Sequence, residues 1–241
     1  MTHNKVAVLG WYGHGNFGDE LILEGLRTLF KGWQVHVFSS DDTGAYPRIN
    51  FEEVNKCDLF VLGGGELIGT KFLWMPYPCR FKPRTKMYRL YVRTPFSCRS
   101  WINHVKTKKV ILGCGVDAEN KNELKENVVH DLEQFDYIGL RDKTSVDILK
   151  SFPQLQSKVH LFYDLAFAID VEPNIIGYLA KVFPFKLHGL ILSHMANIPY
   201  KFGSYNRKVK RVYDTIANLT TEEIRQYQKE RFSEMLERSL F

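Results

Sequence analysis

The chain has 241 residues, 44% of them hydrophobic and 25% charged, enough for one large domain or for a full domain with a reduced partner, and not the composition of a disordered chain. Its net charge of +6 is concentrated: residues 67–116 carry eleven Lys or Arg and no Asp or Glu, so the remainder is net acidic. No apolar run approaches the roughly 18 residues that cross a bilayer, and the start MTHNKVAVLG enters an apolar run without a leader pattern, so a cytoplasmic protein is expected.

In chain order, short apolar, β-branched runs recur at 6–10, 35–38, 59–62, 110–112, 137–140 and 159–162, with amphipathic helical patterns at 21–30, 123–135 and 145–152 between several of them. Strands alternating with helices predict βαβ units and a mostly parallel sheet, whose following loops gather on one edge, where open α/β sheets bind ligands. Residues 71–109 interrupt this rhythm with basic residues, prolines and aromatics that include Phe72, Trp74, Tyr88 and Trp101, and predict an insertion lying over that edge. After Asp164 the rhythm mostly stops. A buried helix is expected over 188–195, and Thr220-x-x-Glu223 is a capping box opening a charged C-terminal helix. The expected division is therefore an α/β lobe over 1–168 and a reduced C-terminal lobe over 169–241. Cys57, Cys79, Cys98 and Cys114 have no metal-binding spacing and suggest reduced thiols; no metal is expected.

Chemistry is concentrated in the loops after the strands. The first, GWYGHGNFGDE, contains Gly13-x-Gly15-x-x-Gly18, a formal dinucleotide fingerprint, with Asp41 and Asp42 where a ribose-binding acid would stand. Against that use, the match starts three residues beyond the strand, and Asp19 and Glu20 put carboxylates where a pyrophosphate needs the positive end of a helix. Asp19 is otherwise a candidate N-cap. The third strand runs into Gly63-Gly64-Gly65-Glu66, the fourth into Gly113-Cys114-Gly115, and the last two into Arg141-Asp142 and Asp164. Arg141 at a strand end can grip a carboxylate or phosphate through two parallel hydrogen bonds, or can pair with Asp142 or Asp164. Glu66 reads equally as a catalytic carboxylate or as the N-cap of the next segment. Lys186 and His188 flank a buried Leu and would point the same way from extended chain.

In this order the segments GWYGHGNFGDELIL, DLFVLGGGELI, ILGCGV, YIGLRDKTSVDIL, YDLAFAI and KLHGLILSHMANIPY resemble the polysaccharide pyruvyl transferase family over about residues 5–205. The resemblance implies a Rossmann-like, GT-B-like N-terminal lobe with a truncated second lobe, since only residues 170–185 separate the YDLAFAI segment from the Lys-Leu-His-Gly element. It implies transfer of a pyruvyl group from phosphoenolpyruvate to a sugar of a polysaccharide or lipid-linked glycan, commonly as a ketal, with no further cofactor. On that basis Arg141 clamps the carboxylate and Lys186, where the family usually has Arg, neutralises the phosphate. His188 transfers a proton, since imidazole titrates near neutrality. Asp19, Glu66 and Asp164 compete as the base, with Asp19 taken as catalytic alongside His188 and Arg141. Gly15, Asn16 and Gly18 are expected to face the acceptor, and Gly64, Gly65 and Gly115 to line the cleft with Glu66 and Asp164. The insertion would meet a lipid-pyrophosphate acceptor at the inner membrane face, and self-association would complete the short lobe. Nucleic-acid binding is not expected, because no recognised binding module is present. A nucleotide-sugar glycosyltransferase, a dinucleotide-binding protein and a non-catalytic remnant are the other classes left open.

Overall fold

A computed structural model of the chain describes residues 4–39, 44–70, 73, 98–170, 176, 187–199 and 207–240. Asp41, Asp42, Lys186 and most of the basic insertion lie outside the described residues. The predicted strands are all present as β1 (Lys5–Gly10), β2 (Gln34–Ser39), β3 (Leu59–Gly63), β5 (Lys108–Cys114), β7 (Tyr137–Leu140) and β8 (Val159–Leu161). They form one six-stranded sheet in the order β2-β1-β3-β5-β7-β8, every neighbouring pair parallel. Two short strands, β4 (Ile68–Gly69) and β6 (Val116–Asp117), pair in parallel just beyond the carboxyl ends of β3 and β5.

A sheet buried on both faces explains why the strands read as continuous apolar runs rather than alternating ones. Ala7, Leu9, Phe60, Leu62, Ile111 and Ile138 enter one core, while Val6, Val8, Val61, Val110 and Leu112 enter the other. The first core is closed by α3 (Glu126–Glu133), α4 (Lys143–Lys150) and the 3-10 helix Cys98–His104; the second by α1 (Phe17–Leu29) and Met235. The four-residue α2 (Phe51–Val54) precedes β3. Trp101, counted above among the insertion's aromatics, is 2% exposed and belongs to the first core, and β5 already begins at Lys108. The end of the predicted insertion therefore contributes Trp101, Ile102 and Val105 to the core, while Asn103 and His104 stay exposed.

After β8 the chain turns at the 3-10 segment Leu165–Ala168 and continues into α5 (Leu187–Met195), α6 (Arg207–Ile216) and α7 (Thr221–Leu240). These helices enclose a third core, built from Phe167, Leu190, Ile191, Val212, Ile216 and Ile224 among others. The Thr220–Glu223 capping box forms as expected: Glu223 N–H donates to Thr220 Oγ1 at 3.2 Å, and Thr220 N–H donates back to Glu223 at 2.7 Å. Among the described residues no helix is long and apolar enough to cross a membrane.

Candidate functional site

The strand order reverses direction between β1 and β3, so the loops leaving these strands diverge to opposite sides and open a crevice at the carboxyl edge. The loop after β1 is held from beneath by Tyr12, whose buried hydroxyl donates to the Gly63 carbonyl at 2.7 Å. Helix α1 is capped by Asn16, not by Asp19: the Asn16 side-chain oxygen accepts from Gly18 N–H at 3.2 Å. Asp19 is released from the expected capping role and sits in the first turn, accepting a hydrogen bond from the Asn16 amide. Burial, with the Asp164 charge nearby, pushes its carboxyl up to about 6 despite the Asn16 bond. Glu20 Oε1 accepts from Gly13 N–H at 2.7 Å, so one backbone donor of the formal dinucleotide fingerprint is already engaged by a carboxylate.

The glycine turns after β3 and β5 are zipped to each other. Gly64 N–H donates to the Leu112 carbonyl at 2.9 Å, and Gly115 N–H donates to the Gly65 carbonyl at 2.8 Å. The Cys114 thiol lies buried beneath them, in contact with the Gly64 carbonyl at 3.4 Å, and burial pushes it up to about 12, which leaves it inert. Gly115 has a more particular reason to lack a side chain: a Cβ there would stand 2.8 Å from Arg141 Nε and Nη2.

Arg141 leaves the end of β7 only 3% exposed. Its guanidinium lies 3.8 Å from Glu66 and 3.9 Å from Asp142, and its buried Nε has no hydrogen-bond partner among the described residues. Glu66 is therefore not an N-cap. It is a partly buried carboxylate bridging Arg141 to Lys208 of α6, and the strand β4 follows it. Asp142 is committed to structure: it caps α4 by accepting from Ser145 N–H at 2.8 Å and Oγ–H at 2.9 Å, while Ser145 Oγ accepts from Val116 N–H at 3.0 Å.

Asp164, fully buried, caps the 3-10 turn by accepting from Ala166 N–H at 3.1 Å. Its Oδ1 stands 4.0 Å from His188 Nε2, and its Oδ2 has no hydrogen-bond partner among the described residues. The helix expected over 188–195 begins one residue earlier, as α5 at Leu187, and carries His188 in its first turn, so the alternative of extended chain does not apply. Gly18 makes room for the ring, since a Cβ at that position would lie 2.0 Å from His188 Nδ1. Gly15, Asn16, Phe17, Gly18, His14 and His188 line an open cavity of about 310 Å³. Trp11 stacks on His14 with ring centroids 3.8 Å apart, just behind that wall.

The structure thus brings His188 and Asp164 together over the Asn16–Gly18 loop, and Arg141 and Glu66 together at the neighbouring strand ends. Arg141 is not in the described lining of the cavity. Three contributors went unmarked in the sequence: Tyr12, Ser145 and Lys208. The basic run Arg207-Lys208-Val-Lys210-Arg211 is a visible signal for the last, but α6 itself is not among the expected helices. Arg211 ties that helix to β6 by donating to the Val116 carbonyl at 2.9 Å.

A model of the family described as polysaccharide pyruvyl transferase matches residues 16–218, from the cap of α1 to just beyond α6. A search of curated proteins gave no significant match.

Proposed function

The chain belongs to the polysaccharide pyruvyl transferase family, and from that premise we propose that it moves a pyruvyl group from phosphoenolpyruvate to a sugar of a polysaccharide or lipid-linked glycan, closing a ketal. The observation that carries this reading is Arg141, a buried guanidinium whose Nε has no hydrogen-bond partner among the described residues, packed beneath the turn at Gly115. A planar, permanently charged fork in a low-dielectric site is suited to the carboxylate of a small dianionic donor. Lys186, outside the described residues, is assigned to the donor phosphate.

Ketal formation requires a proton on the terminal methylene, attack at C2 by one sugar hydroxyl, loss of inorganic phosphate and closure by a second hydroxyl. Two hydroxyl protons are released, one is taken up by carbon and one leaves with phosphate. His188 delivers the proton to carbon, and the Asp164 carboxylate beside it supports the imidazolium form. Asp19 takes the hydroxyl proton: its carboxyl, raised to about 6, is basic enough to accept a proton and is still ionised at neutral pH. The cavity of about 310 Å³ beside the Asn16–Gly18 loop would hold the acceptor ring. No cofactor is assigned. The acceptor's lipid-pyrophosphate, where present, would be met by the basic insertion at a membrane surface.

Isothermal titration with phosphoenolpyruvate, NADH and UDP-glucose tests the reading. Heat is expected with phosphoenolpyruvate alone, lost in Arg141→Ala, while His188→Ala keeps donor binding and loses transfer. Heat with NADH or UDP-glucose and none with phosphoenolpyruvate would overturn it.

A further inference from the structure

Helix α7 starts beyond residue 218, where the family match ends, yet it grips the turn that carries Asp164. Gln228 Nε2 donates to the Asp164 carbonyl at 2.9 Å. Arg225 Nε donates to the Phe167 carbonyl and its Nη2 to the Ile169 carbonyl, both at 2.9 Å. The Asp164 carbonyl also accepts from Phe167 N–H at 3.1 Å, so Gln228 ties the helix to the first bond of the 3-10 turn.

Gln228 is 1% exposed, and its Oε1 has no hydrogen-bond partner among the described residues. A buried amide with one end unsatisfied is a net burden on stability, so the visible return at this position is the single bond to Asp164. The opposite side of the turn is pressed by α1, where a Cβ on Gly25 would stand 1.9 Å from the Leu165 carbonyl oxygen. Tyr163, the residue before Asp164, has φ 65°, a left-handed conformation that a bulky side chain adopts only where its surroundings impose it.

We propose that Gln228 is a positioning residue of the transfer site: through the Asp164 backbone it holds the Asp164 carboxylate against His188, and Arg225 fixes the far end of the same turn. The use of that pair in transfer rests on the function proposed above; the positioning itself does not. The test is the imidazole nitrogen resonance of His188 in the full chain, assigned by its disappearance in His188→Gln. Gln228→Met, similar in volume but without the donor, should shift that resonance beyond its linewidth. Arg238→Ala is the control, because Arg238 anchors the other end of the same helix, to the Ser157 carbonyl at 3.5 Å and to His160 at 3.2 Å. It should leave His188 unmoved. An unshifted His188 in folded Gln228→Met, or an equal shift in Arg238→Ala, overturns the proposal. Should Gln228→Met not fold, Arg225→Met carries the same measurement with the same outcomes. No substrate enters the measurement, so failure of wild-type protein to bind phosphoenolpyruvate would sink the functional reading and leave this one standing.

Discussion

Asp19→Asn should stabilise the protein at neutral pH and leave it unchanged in acid. The native carboxyl titrates at about 6 instead of 3.8, chiefly because it is removed from water. A carboxyl whose folded pKa is raised binds its proton more tightly in the folded state. Its stabilising contribution is therefore complete below the unfolded value near 4 and is lost as pH climbs through about 6. At about 1.4 kcal/mol per unit the whole shift would amount to about 3 kcal/mol. Asp19 keeps partial contact with solvent, and screening brings the expected gap to about 1–2 kcal/mol. The variant amide keeps an oxygen to accept from Asn16 and has no charge to desolvate. Urea unfolding of both proteins at pH 4 and pH 7.5 is the assay. Equal differences at both pH values, or a less stable variant at pH 7.5, would refute the desolvation argument and with it the choice of Asp19 as base.

Gly25→Ala drives a Cβ to within 1.9 Å of a backbone carbonyl oxygen, which cannot swing aside as a side chain can. A loss of about 1–3 kcal/mol is expected, read as a lower urea midpoint with unchanged slope. Gly18→Ala meets the His188 ring instead, at 2.0 Å from Nδ1. A ring can rotate away, so thermal stability should change by less than about 1 kcal/mol while the His188 resonance moves and transfer is lost. A midpoint shift without those two effects would place Gly18 in the packing rather than in the site.

The sheet was legible because its information is local. A strand buried on both faces must be apolar throughout, and the inner runs carry that requirement in their own residues, as VAVLG and YIGL do, while the edge runs β2 and β8 are interrupted by His36 and His160. Local rules failed where a choice depended on distant chain. Asp19 and Asn16 both suit an N-cap, and Asn16 has the capping geometry because the chain enters α1 one turn earlier than the apolar pattern at Leu21 suggests. Glu66 read equally as a catalytic carboxylate or as the N-cap of the next segment, but that segment is the strand β4, which forms because β6, almost 50 residues later, supplies its partner. Lys208 could not be placed at all from sequence, since its contact with Glu66 depends on how α6 docks against β6. His188 was legible as the start of the helix expected over 188–195, which begins one residue earlier, at Leu187.

Asp164 unites the two kinds of information, and Asp164→Asn separates its structural role from its chemical one. The residue bears two costs that the fold retains, a buried oxygen with no hydrogen-bond partner among the described residues and a left-handed residue immediately before it. Its capping bond to Ala166 needs only an oxygen acceptor, which an amide provides. Its relation to His188 needs a negative charge, which an amide lacks. If Asp164 served only as a cap, the substitution would be nearly silent in every assay. If it supports an imidazolium, the variant should unfold within about 1 kcal/mol of wild type, keep its affinity for phosphoenolpyruvate through Arg141, and lose at least about 100-fold in transfer. Thermal unfolding, calorimetry and phosphate release measured together on one preparation distinguish these cases. Undiminished phosphate release in the presence of an acceptor glycan would return Asp164 to the scaffold and leave His188 to work without a partner carboxylate.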